Sequence, residues 1–281
     1  MGVGVAGVFI AMNVLVSAAP LAVSFNSQSP SGSVRPSLAG SPTLLPFATD
    51  TSVPTPVPSA SVPDFRPTVV NSTISASDPN GIWKVYLLYP AFRAGTTPWA
   101  EAMNAQIGTE MQTRATQWEL GPAANRQVVG KVNVLSGTYS TEVLTPNLAS
   151  FTLSWVDDAT PSQPARGVQT VNYDLSTGQL IAFDDLFTDT DAALQIMSSV
   201  AEAQLVDELG ADYDAAVVSD GASPSRTNYI NWALTTAGVK ITFADHQVSR
   251  SADSLPSVVV PWSSLRSVMV ATGPVAKLAG F

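Results

Sequence analysis

The chain has 281 residues, with 22 acidic side chains against 13 basic ones and a net charge of -9, so it offers no electrostatic footprint for nucleic acid or anionic lipid. It has no cysteine and a single histidine, His246. Disulfides, thiolate metal sites, a cysteine nucleophile and a lipid-modified N-terminal cysteine are excluded, and the usual zinc sites are disfavoured.

Residues 3–25 carry no charge, and the first charged residue is Arg35. The run is long enough for a bilayer-spanning helix of roughly 20 residues. Val16-Ser17-Ala18 also resembles a small-residue cleavage site. Residues 1–25 are therefore read as a signal peptide or a single N-terminal membrane anchor, and the chain as secreted or extracytoplasmic and membrane-anchored. Residues 26–67 are rich in Pro, Ser and Thr. Prolines block helix and sheet pairing, and few large apolar residues repay ordering, so a disordered linker is expected. The folded domain is expected over residues 68–281.

Val69 to Ser75 is a candidate first strand, and Ile82 to Tyr89 a stronger one that Pro90 should stop. Thr97 offers an N-cap and Pro98 a first helical residue. Trp99, Met103, Ile107, Met111, Ala115 and Trp118 then mark one face of a helix that Gly121-Pro122 ends. The two tryptophans read as core. Gln127 to Leu135, Thr138 to Leu144, Ser150 to Val156 and Gly167 to Leu175 follow as strands with short links, which favours an antiparallel meander.

The stretch Val168 to Phe187 organises what comes after. Val168, Thr170, Asn172 and Asp174 fall on one strand face, and Val171, Tyr173 and Leu175 on the other. Ser176-Thr177-Gly178 turns the chain, with Gly178 free to take positive φ. Leu180, Ile181 and Phe183 return as a short strand, broken by Asp184-Asp185. Leu186 and Phe187 then form an apolar plug at a helix start, a structural centre and not an active site. A helix is expected with Leu194, Met197, Ala201, Leu205 and Leu209 buried, ending at Gly210. Tyr213 to Pro224 reads as a loop. Thr227 to Leu234 and Val239 to Phe243 read as paired strands, Ser257 to Trp262 as a last strand, and Ser263 to Leu265 as a final helical turn. The expected fold class is α+β, antiparallel sheets with two main packed helices.

Asp245 and His246 follow a strand and could imitate two members of a triad, but no G-x-S-x-G elbow supports them. Asp184, Asp185, Asp189 and Asp191 offer hard oxygens without the spacing of an EF-hand loop, and breaking a strand and capping a helix explains them more simply. No metal or other cofactor is expected.

The segments VNYDLSTGQLIAFDDLF (171–187), an amphipathic helix, NYINWALTTAGVKITFADHQVS (228–249) and VVVPWSSLR (258–266) occur in that order. This order resembles the RsiV-like domain of bacterial exported proteins, over roughly Val168 to Leu265. Leu88-Tyr89-Pro90, followed by a helix with Asn104 and Ile107, resembles the N-terminal half of the same proteins. The resemblance implies an α+β fold outside the membrane with no hydrolytic chemistry of its own. The family includes an anti-sigma factor ectodomain that senses lysozyme by binding it, regions of cell-wall-modifying proteins, and secreted mycobacterial immunogenic proteins. This chain departs from the family pattern at Asp245-His246-Gln247 and Arg250-Ser251-Ala252-Asp253.

The expected function is a monomeric, non-catalytic binding module of the cell envelope. Its partner would be a lysozyme-like protein or peptidoglycan, and not nucleic acid. Docking is expected on the sheet or the loop Asp245 to Pro256, with Asp245, His246, Arg250 and Asp253 as binding residues. The alternative is an enzyme acting on wall polymer through acidic residues near Asp245 and His246. A third reading is a structural or antigenic surface protein.

Overall fold

The structure, a computed structural model, describes residues 66–159, 164–251 and 254–281. The apolar segment 1–25, all of the linker except Arg66 and Pro67, and Asp253 lie outside the described residues. Among the described residues no helix is long and apolar enough to cross a membrane.

The first two strands, β1 (Val69–Ser77) and β2 (Trp83–Phe92), form an antiparallel hairpin in unbroken register from Val69↔Phe92 to Ser77↔Lys84. Strand β2 runs through Pro90 instead of stopping there. Phe92 N donates to Asn104 Oδ1 at 2.7 Å, and Phe92 O accepts from Asn104 Nδ2 at 2.8 Å. By the period of two, Pro90 turns its nitrogen to that same edge, beyond Leu87, where strand pairing to the next neighbour has ended. A missing N–H costs no ladder bond there.

Helix α1 (Ala100–Leu120) then crosses over, and β3 (Asn133–Leu144) lies parallel to β2 from Trp83↔Asn133 to Leu87↔Gly137. A parallel pair needs a long crossover, and α1 supplies it. The sheet is therefore mixed, where an all-antiparallel arrangement was expected. β3 is also one strand where two were expected, and Gln127 to Val132 lie outside it. A bulge between Thr141 and Val143 shifts its register. Leu135 and Tyr139 face α1 before the bulge. After it Leu144 takes that face, and Val143 turns to the opposite core. Strands β4 (Leu148–Asp157), β5 (Ala165–Asp174) and the two-residue β6 (Gln179–Leu180) complete a six-stranded sheet in sequence order.

Met103, Ile107, Met111 and Ala115 of α1 are buried. The first three share a cluster with Phe151, Leu153, Val171 and Tyr173. Phe92 meets Phe151 and Tyr173 edge-on, at centroid distances of 5.8 and 6.4 Å. The helix begins two residues later than its expected first position, and Thr97 Oγ1 accepts from Trp99 N, outside the helix. Trp118 packs edge-on against Trp83. Trp99 is not core. Its partly exposed indole lies against Gly178 and donates from Nε1 to Ser176 O at 3.3 Å.

The opposite face of β3–β5 meets a second layer. It holds α2 (Thr190–Leu209), α3 (Ala215–Gly221), and a three-stranded sheet of β7 (Trp232–Leu234), β8 (Gly238–Thr242) and β9 (Ser257–Pro261), followed by α4 (Trp262–Leu265). Asp189 caps α2 by accepting from Ala192 N at 2.9 Å, and Gly210 ends it at φ 51°. Gln204 on α2 exchanges both amide bonds with the backbone of Val259, at 2.8 and 3.1 Å, so the helix docks on β9 as a neighbouring strand would.

Two local expectations are corrected. The presumed loop after Tyr213 contains α3, because Asp214 caps it through Ala216 N and Val217 N. The presumed strand from Thr227 is a 3-10 turn, Arg226–Tyr229, before the short β7.

The two layers are stitched at Asn172. Asn231 O and Thr235 N bond toward β8, so Trp232 and Leu234 present their backbone to the opposite edge of β7. There Asn172 Nδ2 donates to Trp232 O at 2.9 Å, while Leu234 N donates to Asn172 Oδ1 at 3.1 Å and to Ser150 Oγ at 2.9 Å. Ser150 Oγ in turn donates to Asn172 Oδ1 at 2.6 Å. Nearby, Lys240 Nζ pairs with Glu142 Oε1 at 2.9 Å.

Candidate functional site

Of the residues expected to bind a partner, Asp245 and His246 share one turn, Arg250 pairs elsewhere, and Asp253 lies outside the described residues. Asp245 and His246 are the central residues of the turn Ala244–Gln247, closed by Gln247 N donating to Ala244 O at 3.1 Å. His246 takes φ 60° with a half-exposed ring. Its Nε2 is 3.8 Å from Asp245 Oδ1, too far for a hydrogen bond. Asp245 Oδ2 instead accepts from Arg166 N at 3.1 Å and ties the turn to the end of β5. Gln247 fixes the turn from the other side, donating to Gly221 O and Asn228 O. Arg250 is engaged elsewhere, 3.0 Å from Asp214 Oδ2 at the start of α3. This loop joins elements together. Between it and the sheet lies an open groove of about 280 Å³, bordered by Ser136, Thr138, Ser154, Trp155, Arg166 and Leu255.

The other candidate site is built by the organising stretch itself. After the turn at Gly178, φ 73°, the chain makes β6, which ends at Leu180 where the expected strand ran on to Phe183, and then a 3-10 turn, Phe183–Leu186. Phe183, Leu186 and Phe187 are buried. Phe183 stacks edge-on with Phe187 at 5.1 Å and Trp232 at 5.5 Å. The Arg226 guanidinium lies 4.1 Å over Phe183, its Nε 3.6 Å from Asp184 Oδ1. Burial lowers the Arg226 pKa against the opposing pull of Asp184.

The segment after α4 closes over this turn. Thr188 N donates to Val268 O at 2.8 Å, and Val270 N to Leu186 O at 2.9 Å, so Phe187 and Met269 face each other as an antiparallel bridge. Between the β5–β6 turn and this C-terminal segment lies a half-enclosed cavity of about 230 Å³. Its walls are Leu180, Ile181, Leu186, Met269, Val270, Pro274 and Val275, with Thr177, Gln179 and Thr272 as polar groups. Asp174 and Asp185 are its charged residues. Asp174 Oδ1 accepts from both Ser176 N and Ser176 Oγ, at 2.8 and 2.6 Å. Asp185 is exposed and makes no ion pair among the described residues.

Sequence reasoning treated Asp185 and Leu186 as structural and left the cavity unseen. The run Val268-Met269-Val270 before Pro274-Val275 is the signal that could have pointed to a covering segment. Among the described residues no group of three or more His, Asp or Glu side chains is placed to hold a metal ion.

No curated protein matches the chain by sequence. Residues 184–263 match the family described as Protein of unknown function (DUF3298). The structure is similar to a crystal structure of a DUF3298 family protein from Pseudomonas aeruginosa PAO1, with a TM-score of 0.57 and 14% identity over 74% of this chain and 96% of that one. It is also similar to a member of the family from Bacteroides fragilis NCTC 9343, with a TM-score of 0.48 and 11% identity over 77% of this chain and 99% of that one. At such identities the first likeness speaks to the fold alone. Residues 184–263 thus match a DUF3298 domain, and they sit within a fold shared with a crystallised protein of that family.

Proposed function

We propose that the chain is an exported or surface-anchored binding module of the bacterial cell envelope, RsiV-like in type, that recognises a protein or cell-wall ligand without transforming it. The cavity between the β5–β6 turn and the C-terminal segment carries this reading. It is concave and mostly apolar with a few polar groups, the usual character of a binding site. Its two carboxylates sit in a chain of net charge -9, which favours a basic partner and speeds encounter. Leu180, half exposed at the rim, offers apolar area to bury.

Calorimetric titration of the full-length chain with lysozyme and with soluble peptidoglycan fragments tests the proposal. The expected result is saturable binding of one of them, weakened at least tenfold by Val270→Lys, which puts a bulky positive charge in the cavity wall. Absence of binding to both overturns it.

A further inference from the structure

We infer that this cavity is an anchor pocket for a lysine side chain of a basic protein partner. The inference rests on the binding-module reading and names the chemistry of the group that enters.

Size limits the occupant. At about 230 Å³ the cavity falls below the roughly 300–1,000 Å³ of sites for drug-sized ligands, so only one side chain of a larger ligand enters it. The walls fix the chemistry next. Leu180, Ile181, Met269, Val270 and Val275 are aliphatic or thioether surface, and no aromatic ring lines the cavity to stack on a sugar or a base. That surface matches a straight methylene stem. Long charged side chains bury their stems along apolar walls and keep the head at a polar rim.

Charge then selects the head group. Asp174 and Asp185 are both negative, and no lysine or arginine lines the cavity with them. The neighbouring Asp184 is already matched by Arg226, while Asp185 has no ion-pair partner among the described residues. A cation entering from outside supplies one. Asp174 Oδ1 already accepts two bonds from Ser176, which takes one oxygen from any two-pronged contact. A compact ammonium with three rotatable donors suits such single-oxygen contacts better than the planar fork of a guanidinium.

Methionine methyl groups report on the site. Met269 is buried in the same core as Met197 but also lines the cavity, whereas Met103, Met111 and Met197 do not line it and serve as internal references. Full-length protein labelled at its methionine methyls is titrated with acetyl-Gly-Lys-Gly-amide and with the norleucine and arginine versions of that peptide. The lysine peptide is expected to shift the Met269 methyl saturably at millimolar concentration. The norleucine peptide, which keeps the stem and loses the charge, is expected to bind at least fivefold more weakly. Asp185→Asn is expected to erase that difference. A silent Met269, equal response to norleucine, or tighter binding of the arginine peptide overturns the inference.

Lysozyme before and after acetylation of its lysines separates the two levels. Binding of lysozyme or peptidoglycan with Met269 silent removes the lysine pocket and leaves the binding module standing. A Met269 response to lysine peptide, with neither macromolecule bound, removes the proposed function.

Discussion

Replacing Asn172 with alanine is expected to loosen the join between the two layers at a cost of about 2–4 kcal/mol. The side chain is 4% exposed and serves the one edge of β7 that no strand serves. In the variant Trp232 O loses its donor, and Ser150 Oγ loses its acceptor. Leu234 N keeps the bond to Ser150 Oγ at 2.9 Å, so it is not orphaned. One buried backbone carbonyl left unpaired costs about 1–3 kcal/mol, and the hydroxyl and the small void add to that. Against a typical domain stability of about 5–15 kcal/mol the loss is easily measured. Asn172→Asp keeps the acceptor but sets a carboxylate against a carbonyl, so it should cost at least as much. Urea unfolding of the full-length chain, followed by tryptophan fluorescence, measures both. Asn71→Ala is the control: that residue is exposed and meets only the Tyr139 hydroxyl at 2.7 Å, and it should cost less than about 1 kcal/mol. If Asn172→Ala costs no more than Asn71→Ala, Asn172 does not hold the layers together.

Gly178→Ala should destabilise for two separable reasons. Its φ of 73° costs a side chain about 1–2 kcal/mol, and a Cβ there would stand 2.4 Å from Trp99 Cγ. In a Trp99→Ala background only the first cost should remain, and a double-mutant cycle showing no coupling would count against the contact. Burial alone would raise the Glu142 pKa, but hydrogen bonds from Ser140 and Lys240 and the Lys240 charge outweigh it, so the carboxyl titrates below its ordinary value. A depressed carboxylate adds stability that is present above the unfolded value of about 4.3 and is lost as pH falls through the folded one. The stability gap between the wild-type chain and Glu142→Gln, from urea midpoints, should therefore shrink as pH drops from 6 toward 3; a constant gap would contradict the pairing. His246→Gly should leave the fold intact and raise stability by up to about 1 kcal/mol, because φ 60° suits glycine better. Thermal unfolding decides, and a lower midpoint would mean that the imidazole holds the turn through contacts beyond its backbone.

The sequence alone determined the local grammar. The four-residue stripe Met103, Ile107, Met111, Ala115 marked the buried face of α1, and the two-residue alternation around Val171 and Tyr173 marked a strand with one face on that helix. Gly121 and Gly210 marked where helices end, and Gly178 where a hairpin turns. Each of these signals is a period or a backbone constraint carried by neighbours in the chain. The alternation also placed Asn172 on one strand face with Val168, Thr170 and Asp174, but a period shows which side chains share a face and not what covers it. Tertiary structure put β7 on that face. It also made β2 and β3 parallel, since the path of α1 over the sheet decides their direction, and it joined two expected strands into β3. Trp99, expected in the core, was drawn to the hairpin by the bare backbone of Gly178, some eighty positions away. The cavity likewise needs Asp174 and Val275, about a hundred residues apart, to close on one another. Burying the Leu186–Phe187 pair against Val268–Val270 brings them together, a contact between distant segments that no local pattern encodes.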